Sequence, residues 1–175
     1  KVLRHAAPEG GETVVDLYSG VGMLSFVLSD FVKHVTGVEI DPDAVRDAQA
    51  NAAALNTANV DFICGDVDRV LGRLTRADIV LLDPPRRGCP PETLNRIAGM
   101  RPGRIVYVSC NPATLARDLG ILEQLGYEAR AVEPLDMFPQ TAHVETVAQL
   151  TWTGRKAVHG TNTSETPESP LTGPC

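Results

Sequence analysis

The chain has 175 residues, 43% hydrophobic and 22% charged, with a formal net charge of −6. That is the composition of one ordinary globular domain, long enough to bury a substantial core. No apolar run approaches the roughly 20 residues of a membrane helix, and residues 1–11 hold no signal-peptide apolar segment, so no membrane partner is expected and a cytoplasmic location is. The acidic balance argues against a stand-alone nucleic-acid binder, because such domains usually carry a basic face. The cysteines are Cys64, Cys89, Cys110 and Cys175, with no C-x-x-C pair and no histidine at ligand spacing. That argues against a metal site or a disulfide framework and fits a reducing compartment. The chain opens on Lys1 rather than Met, which reads as a piece of something longer.

In chain order, Thr13–Leu17 reads as a short strand, followed by a glycine-containing turn and a helical stretch, Met23–Phe31. Val35–Ile40 reads as a second strand. Asp41 and Pro42 then supply an N-cap and a first helical residue, with Val45, Ala48, Ala52 and Leu55 on one face. Val60–Cys64 is a third strand, with Cys64 expected in the core, and Asp66–Leu74 a short helix. Asp78–Leu82 is apolar after its first residue, as a strand buried on both faces requires. Arg104–Ser109 is a fifth strand and Pro112–Leu125 a helix with Leu115, Leu119 and Leu122 on one stripe, ended by Gly126. Glu128–Leu135 and Val144–Thr153 follow as two strands without a helix between them, which implies one antiparallel strand. The alternation predicts an α/β fold: a seven-stranded, mostly parallel sheet with helices on both faces. Residues 1–153 would form the domain. Residues 154–175, of which Gly160–Cys175 is rich in Thr, Ser, Pro, Gly and Glu, are expected to be a disordered tail.

The candidate functional residues fall at strand ends, where ligands bind in such sheets. Asp16-Leu17-Tyr18-Ser19-Gly20-Val21-Gly22 closes the first strand, and its glycines allow a sharp turn close to a ligand, although a plain βα turn uses the same residues. Glu39 closes the second strand, where an acid can accept hydrogen bonds from ribose hydroxyls. Asp66 follows the third strand, either facing an adenine amino group or capping a helix. Three acids at successive strand ends repel a pyrophosphate, and the first turn lacks the third glycine of a dinucleotide fingerprint. S-adenosylmethionine, a sulfonium without phosphate, suits them better.

Asp83-Pro84-Pro85-Arg86 closes the fourth strand, with Arg86 where N-methyltransferases of related pattern carry an aromatic residue. Cys110 stands at the end of the fifth strand, just before a helix opened by Asn111 and Pro112. The positive end of that helix is the environment a nucleophilic thiol needs. Cys89, just past the Asp-Pro-Pro motif, is the rival nucleophile. His143 and Glu145, two apart where a polar loop leads into the last strand, are candidate bases on one face if both are extended.

Taken in order, Asp16–Gly22, Val38–Asp41, Leu82–Gly88, Tyr107–Asp118 and Asp136–Val147 resemble the RNA 5-methyluridine methyltransferase family. The pair Ser-Cys-Asn-Pro and Phe-Pro-Gln-Thr-x-His-Val-Glu is highly specific to it. The resemblance implies a Rossmann-like class I methyltransferase fold, S-adenosylmethionine as cofactor, and tRNA or rRNA as partner. It also implies Cys110 as nucleophile and Glu145 as general base, with Tyr18, Gly20, Gly22, Glu39, Asp66 and Asp83 at the cofactor. Ser19 stands where many members have Cys. Members usually carry an N-terminal RNA-binding domain and a segment with a cofactor-touching Gln, and neither is present in these residues. The other readings are an RNA cytosine-5 methyltransferase using Cys89, a small-molecule or protein N-methyltransferase, and a fragment that only binds cofactor.

Overall fold

The computed structural model describes residues 1–136 and 144–154. Its strands are β1 (Thr13–Leu17), β2 (His34–Glu39), β3 (Val60–Cys64), β4 (Ile79–Leu82), β5 (Arg104–Ser109), β6 (Tyr127–Leu135) and β7 (Glu145–Trp152). Its helices are α1 (Val2–Ala6), α2 (Met23–Ser29), α3 (Pro42–Ala54), α4 (Val67–Leu71), α5 (Pro91–Met100) and α6 (Pro112–Gln124). The strands form one sheet in the order β3-β2-β1-β4-β5-β7-β6. β1 to β5 pair in parallel, and β7 runs antiparallel to both β5 and β6. The chain winds outward from β1 through β2 to β3, then returns to the other side of β1 with β4. That reversal opens a crevice at the carboxyl ends of β1 and β4, where α/β sheets take their ligands.

Two layers of helices cover the sheet, which is why all four residues of β4 are buried. Val67, Leu94, Ile97, Leu115 and Leu122 pack α4, α5 and α6 on one face. Ala6, Leu28, Val45 and Ala48 pack α1, α2 and α3 on the other. α1 is also tied to β6 by Glu133, which accepts hydrogen bonds from Lys1 and Arg4 and meets His5 Nε2 at 3.2 Å. Among the described residues, no helix is long and apolar enough to cross a membrane.

The seven strands, the two-sided helical cover and the antiparallel strand agree with the sequence reading. Three details differ. Helices α1 and α5 were not anticipated. Helix α5 hides behind a proline-rich entry, yet its Pro91 start and buried Leu94, Ile97 and Ala98 are ordinary helix signals. Cys64 is exposed rather than in the core, because β3 is an edge strand whose last two residues are both open to solvent. Leu55 is 61% exposed, because it caps α3 beyond the packed face. The expected tail beyond Gly154 lies outside the described residues, as do 137–143 with His143.

Candidate active site

The turn after β1 is built from backbone in the left-handed region: Tyr18 at φ 66°, Gly20 at 53° and Gly22 at 85°. For Tyr18 this is a strained conformation, of the kind that concentrates at functional sites. It is held there by hydrogen bonds from Tyr18 N and Ser19 N to Val38 O, 2.9 and 3.1 Å. A side chain at Gly22 would lie 2.4 Å from the Phe62 ring, so that glycine is needed for packing as well as for φ. Gly20 meets nothing on that side, and its N–H donates to Glu39 Oε2 at 3.0 Å. Glu39 Oε1 accepts from Ile40 N and Asp41 N, 2.7 and 2.9 Å. The carboxylate is therefore fixed at the end of β2, beside the glycine turn. Asp41 caps α3 through Asp43 N, as anticipated. Asp66 caps α4 through Arg69 N at 3.2 Å, leaving its second oxygen without a partner among the described residues.

Between α1, α2 and the strand ends lies a cleft of about 650 Å³, into which Asp16, Tyr18, Ser19, Gly20, Asp83 and Glu145 converge. Val2, Leu24 and Val147 give it an apolar wall. Asp16, only 1% exposed, accepts a 2.5 Å hydrogen bond from Ser25 Oγ on Oδ2. Its Oδ1 and the neighbouring Ser19 Oγ are buried without a partner among the described residues. Burial drives the Asp16 carboxyl up to about 7; the Ser25 bond opposes the shift, and the charges of Asp83 and Glu39 reinforce it. Asp83 is exposed, yet its carboxyl is pushed up to about 6, first by desolvation and then by the Glu145 carboxylate. Such a wall repels phosphate and rewards a cation. A larger hollow of about 780 Å³ opens at the other end of the strands, between Glu9, Asp78 and Arg104, and none of the motifs reaches it.

Cys110 follows β5 directly and is half-buried. Asn111 caps α6 by accepting from Ala113 N at 3.1 Å. Ser109 of β5 pairs with Thr146 of β7 in the antiparallel register. Cys110, the residue after β5, and Glu145, the first residue of β7, therefore lie at the same end of the sheet; Glu145 lines the cleft, and Cys110 is not among its lining residues. Cys89 has the opposite character. It is 1% exposed, its sulfur is 3.8 Å from the Tyr107 hydroxyl, and burial pushes its thiol up to about 11. Of the two candidate thiols, Cys110 is thus the more accessible.

The loop after β4 is clamped onto α6. Arg86 O accepts from Asn111 Nδ2 and Thr114 Oγ1, 3.2 and 3.1 Å. Arg87 O and Cys89 O accept from Arg117 Nη2, 3.0 and 3.2 Å. Asp118, fully buried, accepts from the Tyr107 hydroxyl at 2.5 Å, Cys89 N at 2.8 Å and Arg117 Nε at 2.8 Å. Gly88 holds the tight corner at φ 73°, with the Asp118 carboxylate 2.5 Å from where a Cβ would be. With its backbone so occupied, the loop leaves the Arg86 and Arg87 side chains exposed. Sequence reasoning missed both Asp16 as a buried cleft acid and Asp118 as the hub of this clamp. The signals were an acid inside an apolar strand and an acid at helical spacing between Leu115 and Leu122.

The profile of tRNA (uracil-5-)-methyltransferases matches residues 3–152. An uncharacterised RNA methyltransferase of Halalkalibacterium halodurans is 50% identical over 154 residues, which are 86% of this chain and 34% of the relative. A Clostridium tetani relative described in the same words is 48% identical over 160 residues, 89% of this chain and 35% of its own length. The chain thus spans about a third of the relatives it matches. Among solved structures, a Pyrococcus abyssi tRNA (uracil-54, C5)-methyltransferase, crystallised with S-adenosyl-L-homocysteine, superposes with a TM-score of 0.75 at 37% identity. The match covers 86% of this chain and 37% of that one. A precorrin-6y C5,15-methyltransferase of Geobacter metallireducens, 15% identical with a TM-score of 0.72 over 86% of this chain and 85% of its own, shares the fold alone. The fold is that of class I methyltransferases, and the chain belongs to the tRNA (uracil-5-)-methyltransferase family.

Proposed function

We propose that residues 1–153 are the catalytic domain of an S-adenosylmethionine-dependent RNA methyltransferase that modifies C5 of a uridine in tRNA or rRNA. The observation that carries this reading is the antiparallel register of β5 and β7, which pairs Ser109 with Thr146 and so brings Cys110, the next residue, to the same sheet end as Glu145, which lines a cleft whose acids disfavour phosphate. The cleft suits the cofactor: two of its buried oxygens, on Asp16 and Ser19, lack partners among the described residues, and Glu39 and Asp66, outside its lining, follow at the ends of β2 and β3 as acceptors. When bound, the cofactor supplies an electrophilic methyl group. Tyr18 and Gly20 line its seat, Gly22 holds the turn behind them, and Asp83 and Glu145 line the same cleft.

The chemistry of this chain then follows from what uracil lacks. C5 is too weak a nucleophile to take a methyl group unaided. The Cys110 thiolate adds to C6, moving the C5–C6 π pair onto C5 and O4 as an enolate. C5 takes the methyl group, Glu145 takes the C5 proton, the double bond re-forms, and the thiolate leaves. A uridine in folded RNA must first leave its stack to reach this pocket. The test is to incubate the complete protein with isotopically methyl-labelled S-adenosylmethionine and tRNA or rRNA transcripts, then analyse the nucleosides by mass spectrometry. Label in 5-methyluridine is expected; label in 5-methylcytidine or an N-methylated base would contradict the reading.

A further inference from the structure

The domain is acidic overall, yet its charge is segregated. Residues 67–101 hold seven arginines against Asp68, Asp78, Asp83 and Glu92, a net of +3, which leaves −9 on the remainder. Three of those acids are engaged elsewhere: Asp68 with Thr93 Oγ1 at 2.7 Å, Asp78 with Thr13 and Arg76, and Asp83 in the cleft. Of the seven arginines, only Arg76 has an acidic partner among the described residues. Elsewhere among the described residues, Lys33 is the one cation likewise unpaired. Unpaired guanidinium groups in one span, on a protein of this sign, call for an anionic partner.

Geometry joins them to the site. Asp68 and Thr93 tie α4 to α5. Arg96 of α5 reaches across, its Nη1 3.6 Å from where a Cβ on Gly72 would stand, at the end of α4 between Arg69 and Arg73. All three arginines are exposed. The other end of α5 is fed directly by the clamped loop, which starts at Asp83 in the lining of the cleft and carries the exposed Arg87. We infer that the outer surface of α4 and α5, through Arg69, Arg73 and Arg96, is a track for the phosphodiester backbone of the substrate RNA, leading to the cleft past Arg87. The inference rests on the reading of the site as an RNA methyltransferase. Phosphate contacts of this kind position RNA without reading its sequence.

The test compares the complete protein with its R69Q/R73Q/R96Q variant and with Lys33→Gln as the control cation. RNA binding is measured between 50 and 200 mM salt, with methylation kinetics alongside. Each lost contact on single-stranded RNA lowers the slope of log affinity against log salt by about 0.7, so three lower it by about 2. Over that range the loss of affinity shown by the unaltered protein should shrink by roughly 15-fold in the triple variant. KM for RNA should rise, while kcat at saturating RNA, cofactor affinity and the Lys33→Gln slope stay unchanged. An unaltered slope and KM in a triple variant that still binds cofactor and methylates RNA would overturn the track alone. No methylation of RNA by the unaltered protein would overturn the reading of the site together with the track.

Discussion

Asp16 is a carboxyl placed where water cannot reach it, and its protonation sets how the domain responds to pH. Its native value, raised to about 7, exceeds the ordinary 3.8. The folded state therefore binds more protons than the unfolded chain between those values, and stability falls as pH rises through that window. Asp83, raised to about 6, acts in the same direction. Urea denaturation should show the unliganded domain less stable at pH 8 than at pH 5 by about 3 kcal/mol, order of magnitude. Asp16→Asn should remove most of that slope. A cationic ligand in the cleft should bind more tightly as pH climbs past 7, because the carboxyls then meet it ionised. At the chemical centre, Glu145→Gln should lower kcat by about 10²–10⁴-fold while leaving attack by Cys110 intact, so that a methylated protein–RNA adduct accumulates on denaturing gels. Cys89→Ala should retain activity and cost about 1–2 kcal/mol in a urea melt, since it removes only a buried sulfur.

At the scale of elements, the clamp between the post-β4 loop and α6 is the part most exposed to single substitutions. Asp118→Ala strands the Tyr107 hydroxyl, Cys89 N and the Arg117 guanidinium together. A loss of about 3–5 kcal/mol in urea denaturation is expected, as for other broken buried pairs. Gly22→Ala sets a methyl group against Phe62 in a left-handed backbone and should destabilise the β1–α2 turn comparably. These elements were unevenly legible in the sequence. Strands such as Val60–Cys64 and Arg104–Ser109 were read to the residue, because apolar runs closed by turn signals mark them. The caps Asp41 and Asn111 were equally plain. Helix α5 was not, because Pro90 and Pro91 look like a loop until the buried stripe behind them is seen. Asp118 was overlooked because hydrogen bonds that satisfy a buried carboxylate come from three separate segments, which no local pattern records.

For the whole molecule, winding order explains why residues far apart in sequence share one cleft. The reversal between β1 and β4 sets the glycine turn beside Asp83, and the antiparallel return of β7 brings Glu145 to the end of β5. The strand-end positions of these residues were legible because each motif closes a strand; their neighbourhood was not, because strand order decides it. The exposed Cys64 and the buried Cys89 make the same point, since edge position and loop clamping fixed both. The net charge of −6 also misleads when read as one number, because acids gather around the cleft and unpaired arginines along α4 and α5. The claim on which the rest depends is that Cys110 attacks C6 of a uridine. It is tested most directly by incubating the complete protein with S-adenosylmethionine and RNA containing 5-fluorouridine, then mapping the covalent adduct by peptide mass spectrometry. Fluorine at C5 cannot leave as a proton, so an adduct on the peptide carrying Cys110 is predicted. An adduct on Cys89, or none while the natural RNA is still methylated, would contradict the account.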